Sequence, residues 1–235
     1  MLFLFNWTLY FPVCTLLIVI KSNSIFWRRT TELHPTKSGV IGLIFCALGL
    51  EGSQTEALHE WLNTSQVVYE IGDNETDTIE DFHMVGNGYS EDDPWELECI
   101  PKTATGKKAV NGGARLTRRT YLQDAKFAVL QDIPEGWESK IIEGFRNPRW
   151  DIYLGRKSCV PSIPVFSGVY PTFDEAEKQL RSEIESYFDD KKIKGVWKEV
   201  DSSALGATLI NDVPLEFGLR KKYGTRYIKY FPSEK

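Results

Sequence analysis

Three histidines and four cysteines are all that this 235-residue chain offers as soft metal ligands, and they do not cluster. Cys14, Cys46, Cys99 and Cys159 form no C-x-x-C pair, and His34, His59 and His83 fall in separate segments. This excludes a zinc knuckle, predicts no metal and no cofactor, and fits reduced thiols in a cytoplasmic protein. A phosphate-cradling P-loop is missing as well. PTKSG (35–39) lacks the leading glycine, and before TGKK (105–108) Pro101 stands where glycine is required and Lys108 replaces Ser/Thr. The apolar first segment has no basic leader and no small-x-small cleavage pattern, which argues against a signal peptide. No internal repeat or low-complexity tract is visible.

What the chain lacks locally is as telling. Residues 70–98 contain no Lys or Arg but eleven acids, whereas 101–126 hold seven bases against Asp124 alone. The net charge of −5 argues against a generic nucleic-acid coat protein. Segregated charge fits a protein that meets a polyanion on one surface and something else on another. With 42% hydrophobic and 13% aromatic residues, the chain can bury one sizeable core with an appended subdomain.

Residues 1–20 carry no charge and are followed by Lys21, Arg28 and Arg29. Two readings compete: a membrane anchor long enough to span a bilayer, or a buried strand MLFLF followed by a second strand TLLIVI. Further along, Thr36 caps a buried helix over 38–48 that ends at Gly49 or Gly52. A short helix at 55–62 and a strand at 65–72 follow. From 80 to 118 no period is sustained, which predicts an inserted hairpin based on DFHMV and ARLTRRTYL. TYLQDAKFAVLQDI reads as one strand, and Pro134 opens a helix to Phe145. IPVFSGVY is the next strand, and a Thr172/Glu175 capping box starts a helix to Tyr187. Strands near 193–200 and 206–212 and a basic-aromatic tail, 219–231, complete the pattern. The core order β-α-β, excursion, β-α-β predicts an α+β, ferredoxin-like βαββαβ fold over 1–190, a thumb-like β-hairpin at about 80–118, and a small C-terminal β extension, 191–235.

The most chemically loaded stretch is RNPRWDIYLGRKSCVPSIPVFSG, 146–168. Arg146, Arg149, Arg156 and Lys157 face only Asp151, and three prolines rule out a regular element. An ordered loop with Gly155, Arg156 and Ser158 suits a phosphate backbone. The competing reading is a solvated surface loop. PTKSG puts Thr36, Lys37 and Ser38 at a helix N-terminus, a second anion site unless it is only a capped core helix.

Three pieces occurring in order, FWRRTTELHPTKSGVIGLIFCALG (26–49), TYLQDAKFAVL (120–130) and YLGRKSC (153–159), together resemble the repeat-associated RNA-binding (RAMP) proteins of CRISPR interference complexes. Within that superfamily the likeness is to the CasD-type subunit of type I-E Cascade, and it covers roughly residues 24–170. The first 23 residues depart from the family, which usually has a Gln-Ser-Trp-Gly type segment after its first strand where this chain reads NWTLYFPVCTLLIVI. Family contacts from that segment are not carried over.

The resemblance implies an RRM/RAMP-type core and a non-catalytic role, with no catalytic residues, holding the 5′ handle of a CRISPR guide RNA. Implied partners are a CasC-type backbone subunit and a CasA-type large subunit, with target DNA reached through the complex. Candidate RNA-binding residues are Arg28, Arg29, Thr36, Lys37 and Ser38 from the first motif. The excursion and its return strand add Lys107, Lys108, Arg115, Arg118, Arg119 and Tyr121. The basic loop adds Arg149, Tyr153, Gly155, Arg156, Lys157 and Ser158. The rivals are a metal-independent endoribonuclease of repeat RNA, with His34 or His83 as base, and a membrane-tethered protein.

Overall fold

QVVYEI (66–71) and KFAVLQD (126–132) do not alternate apolar with polar; each holds an unbroken apolar run, VVY and FAVL. Such strands need cover on both faces. They find it in the centre of a seven-stranded antiparallel sheet. The computed structural model describes residues 2–8, 28–29, 31–72, 77–85, 105, 115–123, 125–187 and 192–233, with backbone alone at 2–8, 28–29, 83–85, 115–117 and 187.

In chain order the elements are β1 (Leu2–Thr8), β2 (Arg28–Arg29), α1 (Lys37–Leu48), α2 (Thr55–Glu60), β3 (Gln66–Ile71), β4 (Asp77–Val85) and β5 (Arg115–Gln123). Then come β6 (Lys126–Asp132), α3 (Glu138–Arg146), β7 (Phe166–Tyr170), α4 (Phe173–Tyr187), β8 (Ile193–Glu199), β9 (Thr208–Glu216) and β10 (Lys222–Pro232). The large sheet runs β7-β1-β6-β3-β8-β10-β9, and a small one runs β2-β5-β4.

Side chains of the central strands part by parity. Val68, Phe127 and Val129 join α1, α2 and α3 in one core, while Tyr69, Ile71, Ala128 and Leu130 meet Ala176, Leu180 and Ile184 of α4 on the other face. In the first core, Phe45 stacks on Trp137 at 5.7 Å between ring centroids, and Trp61 meets Trp137 edge-on at 5.4 Å. The Trp137 indole donates to Glu60 Oε2 at 2.6 Å, so its polar end is satisfied.

Residues 2–8 form a strand paired with β6 and β7, so a transmembrane helix over 1–20 is overturned for this stretch. No helix among the described residues is long and apolar enough to cross a membrane. The second strand expected over TLLIVI lies outside the described residues. TYLQDAKFAVLQDI is two strands, not one. β5 ends at Gln123 in the small sheet and β6 starts at Lys126 in the large one, a passage that needs no proline or glycine to mark it. The helix expected from Pro134 begins at Glu138, because Trp137 is held in the core as its N-cap residue. The tail 219–231 is largely a strand, β10, inserted between β8 and β9. β8 pairs directly with β3, so the last three strands continue the main sheet.

A buried polar cluster joins α1 to those strands. The Arg226 guanidinium donates through Nε and Nη2 to Asp212 at 2.7 Å each, through Nη1 to Glu199 at 2.7 Å, and to Gln66 at 2.8 Å. Asp212 is 1% exposed and also accepts the Lys37 backbone N–H at 2.7 Å. Removing one partner of such a pair strands the other charge. We expect Asp212→Asn to lower unfolding stability by about 3–5 kcal/mol, read as a shifted urea midpoint. A change below about 1 kcal/mol, the range of an exposed pair, would show the cluster to be solvated.

Candidate functional site

PTKSG does open a helix on an anion, but the anion is the chain's own. Thr36 caps α1 and accepts from the Gly39 N–H at 3.3 Å, while the Lys37 N–H is taken by Asp212. Lys37 corrects the sequence expectation most sharply. It is 1% exposed, and its ammonium donates to the carbonyls of Thr64 and, at 3.3 Å, Leu62, with Glu199 at 3.7 Å. Burial holds its pKa below the ordinary lysine value, with Glu199 pulling the other way. The periodicity of a capped helix does not say which side faces solvent, and here Thr36 and Lys37 face inward. Neither side chain is available to a phosphate.

The basic loop behaves differently. Gly155 sits at φ 77°, a left-handed conformation suited to glycine, and the loop closes by Leu154 N–H to Cys159 O and Cys159 N–H to Arg156 O, both at 2.8 Å. That turn tucks Arg156 inward, 7% exposed. Its guanidinium lies 4.3 Å from the centre of the Tyr121 ring, and Nη1 donates to Thr120 O at 3.2 Å. Nε and Nη2 have no hydrogen-bond partner among the described residues, and nor does buried Nε of Arg119. Burial lowers the Arg156 pKa, the nearby Arg119 charge adds to this, and Tyr121 opposes it.

Both arginines line one cavity of about 570 Å³. One wall is α1, through Ser38, Gly39, Gly42, Leu43 and Cys46. The basic loop supplies Tyr153, Gly155, Arg156 and Lys157, β5 supplies Arg119, and the C-terminal strands supply Phe217, Lys221 and Tyr223. Among the described residues, four cations and no carboxylate line it. Such a lining favours an anion, and two guanidinium groups suit phosphate oxygens.

Six of the expected residues therefore meet here: Ser38, Arg119, Tyr153, Gly155, Arg156 and Lys157. Tyr121 lies beneath them, buried under Arg156. The others lie elsewhere. Arg118 is exposed and paired with Glu80 at 3.2 Å. Arg149 is exposed, its stem filling the space over Gly49, and Ser158 is exposed outside the cavity lining. Backbone register sets Arg28 beside Arg118 and Arg29 beside Arg119 in parallel strands, and Arg115 opens β5. Lys107 and Lys108 lie outside the described residues. Lys221 and Tyr223 were flagged only as a basic-aromatic tail, and Phe217 had no local signal at all.

His34, a general-base candidate, is 4% exposed, with Nδ1–H donating to Pro35 O and its ring 4.6 Å from Trp197. It reaches no solvent-facing substrate position. His83 stands opposite Thr117 in the β4–β5 register.

A sequence profile described as CRISPR-associated protein (Cas_Cas5) matches residues 18–229. The chain belongs to this family. Among curated proteins, the Cascade subunit CasD of Escherichia coli (strain K12) is 28% identical over 165 residues, covering 66% of this chain and 67% of that protein. Among solved structures, a chain of a CRISPR RNA-guided surveillance complex superposes with a TM-score of 0.68 at 24% identity, over 99% of this chain and 90% of that one. A second, titled as the crystal structure of a Cas protein, gives 0.60 at 20% identity, over 99% and 95%. At these identities the two structures establish a shared fold. The Cas5-family match extends into β10, so Phe217, Lys221 and Tyr223, which complete the cavity, fall within the matched region.

Burial holds the His34 pKa below its ordinary 6.5. The folded chain then binds fewer protons than the unfolded chain as pH falls below about 6.5, so stability is lost on acidification in that window. We expect urea midpoints to fall between pH 7 and 5, and His34→Gln to flatten that slope. An unchanged slope would assign the acid sensitivity to other groups.

Proposed function

We propose that this Cas5-family chain is a non-catalytic, guide-RNA-binding subunit of a type I-E Cascade complex, holding the 5′ handle of the CRISPR RNA in antiviral defence. The observation that carries the reading is the cavity itself: among the described residues its lining holds buried Arg156 and half-buried Arg119, each with side-chain N–H groups that lack a hydrogen-bond partner, and no carboxylate. Buried donors of this kind are rare unless a partner completes them. Similarity to the Cascade subunit CasD supports membership of the same kind of assembly.

The finer assignments belong to the same proposal. Strand order β7-β1-β6-β3, with α1 and α3 on one face, supports a ferredoxin-like βαββαβ core in which β4 and β5 carry a thumb-like insertion. In this reading the RNA backbone runs from the β2–β5 arginines to Arg119, Arg156, Lys157 and Ser38, and Arg115, Lys107 and Lys108 are further contacts assigned from sequence alone. A CasC-type backbone subunit and a CasA-type large subunit flank the chain in the cytoplasm, and target DNA is met only through base pairing to the guide.

The test is co-expression with Cascade-type subunits and a repeat-derived RNA, followed by purification in EDTA. Intact RNA should be retained, and Arg119→Gln with Arg156→Gln should lower the slope of log affinity against log salt by about 1.4 in the single-strand regime. Lys37→Ala should act on stability instead. Specific cleavage of the repeat by this chain would overturn the non-catalytic role, and absence of RNA from the complex would overturn the binding role.

A further inference from the structure

A glycine in the middle of a helix destabilises it relative to alanine and is usually kept for close packing. Gly42 of α1 is not explained that way. Among the described residues, a Cβ built on it would meet nothing nearer than Phe217 Cζ at 3.8 Å, an ordinary contact. Gly144 of α3 gives the contrast, since its Cβ would fall 2.7 Å from a Leu48 methyl. What Gly42 preserves is open space in the wall of the cavity described above.

The cavity has two chemically distinct sides. Arg119 and Arg156 line one side, each with a buried nitrogen that has no hydrogen-bond partner among the described residues, and Arg156 is over nine-tenths buried. Gly42, Leu43 and Phe217 give an apolar surface, with the phenol rings of Tyr153 and Tyr223 also in the lining. A bare phosphate would use only the first side. A volume of about 570 Å³ lies within the roughly 300–1,000 Å³ of small-ligand pockets, far more than one phosphate fills. One phosphate joined to one flat, largely apolar ring matches both sides, and single-stranded RNA can splay out such a unit.

We propose that the cavity is a pocket for a single extruded nucleotide of the bound RNA, its phosphate on Arg119 and Arg156 and its base in the space that Gly42 leaves open. This rests on the RNA-binding reading above. Gly42 thereby decides whether a base enters, and the two arginines fix where along the strand it does so.

The test scans a short single-stranded guide-handle RNA with one abasic residue at a time against the full-length chain, read by fluorescence anisotropy. One position should stand out, weakening binding by roughly ten-fold or more when its base is removed, the scale of a lost stacking contact. In Gly42→Leu, whose side chain fills the pocket, affinity should fall by a similar factor and the abasic penalty at that position should vanish. Gly42→Ala should melt at a higher temperature and show a smaller version of the same loss, which keeps the test valid if leucine is not accommodated. Uniform abasic penalties, or wild-type affinity and pattern in Gly42→Leu, would overturn the pocket while leaving guide-RNA binding intact. Equal stabilisation of the chain by inorganic phosphate and by a nucleoside monophosphate would reduce the site to an anion cradle and overturn it too. Loss of all RNA from the co-expressed complex is the separate failure of the binding reading.

Discussion

The carboxylate of Asp212 at the head of α1 is the constraint on which the rest of the structure depends. It takes the first N–H of the helix and both inner donors of Arg226, and through Arg226 it is tied to Glu199 and Gln66. One buried cluster thus couples α1 to β3, β8, β9 and β10. Helix N-termini attract anions because their leading N–H groups have no partner within the helix. Once Asp212 satisfies that need, the helix is docked against the end of the sheet, and its small-residue face of Gly39 and Gly42 is turned toward the basic loop. The cavity exists because α1 is held there and the C-terminal strands return to close its far side.

The same cluster explains why a lysine sits inside the protein. Lys37 is buried, yet it reaches two carbonyls and lies near Glu199, so its charge is compensated. The carbonyls belong to Leu62 and Thr64, on the segment that leads into β3, and Thr64 in turn accepts from Gln131 of β6 at 3.0 Å. Lys37 therefore helps fix the turn between α2 and the sheet. Its place in a motif that resembles an RNA-binding signature comes from the helix it begins.

Much of the fold was legible because the forces that set it are local. Thr36, Gly49 and the Thr172 cap mark helix ends through hydrogen bonds within a few residues, and these fall where the sequence puts them. The passage from β5 to β6 was not legible, since strand propensity is continuous across Gln123–Lys126 while the sheets are different. Nor was the start of α3, where the core's claim on Trp137 outweighs the helix-opening preference of Pro134. The site was half legible. YLGRKSC declares its chemistry by composition, so Tyr153, Gly155, Arg156 and Lys157 could be named from one segment. Asp212 and Phe217 come from more than 160 residues beyond α1, and no local pattern links them to it.

Among the described residues, Arg226, Lys37 and Arg156 have buried cationic side chains, and their differences carry the functional argument. Arg226 is met by two carboxylates and Lys37 by a carboxylate and two carbonyls. Arg156 has one carbonyl and an aromatic face, with two nitrogens unpartnered among the described residues and a like charge, Arg119, beside it. Desolvating a charge without full compensation is among the costlier things a fold can do. A chain that neutralises two of its buried cations so thoroughly has the means to neutralise the third. Here the third borders a cavity with no carboxylate among the described residues of its lining, and the proposed function supplies the compensating charge from outside, as phosphate. In the proposed RNA-binding role, the stability forgone at Arg156 in the free chain becomes binding energy, because the donors are held in place before a phosphate arrives.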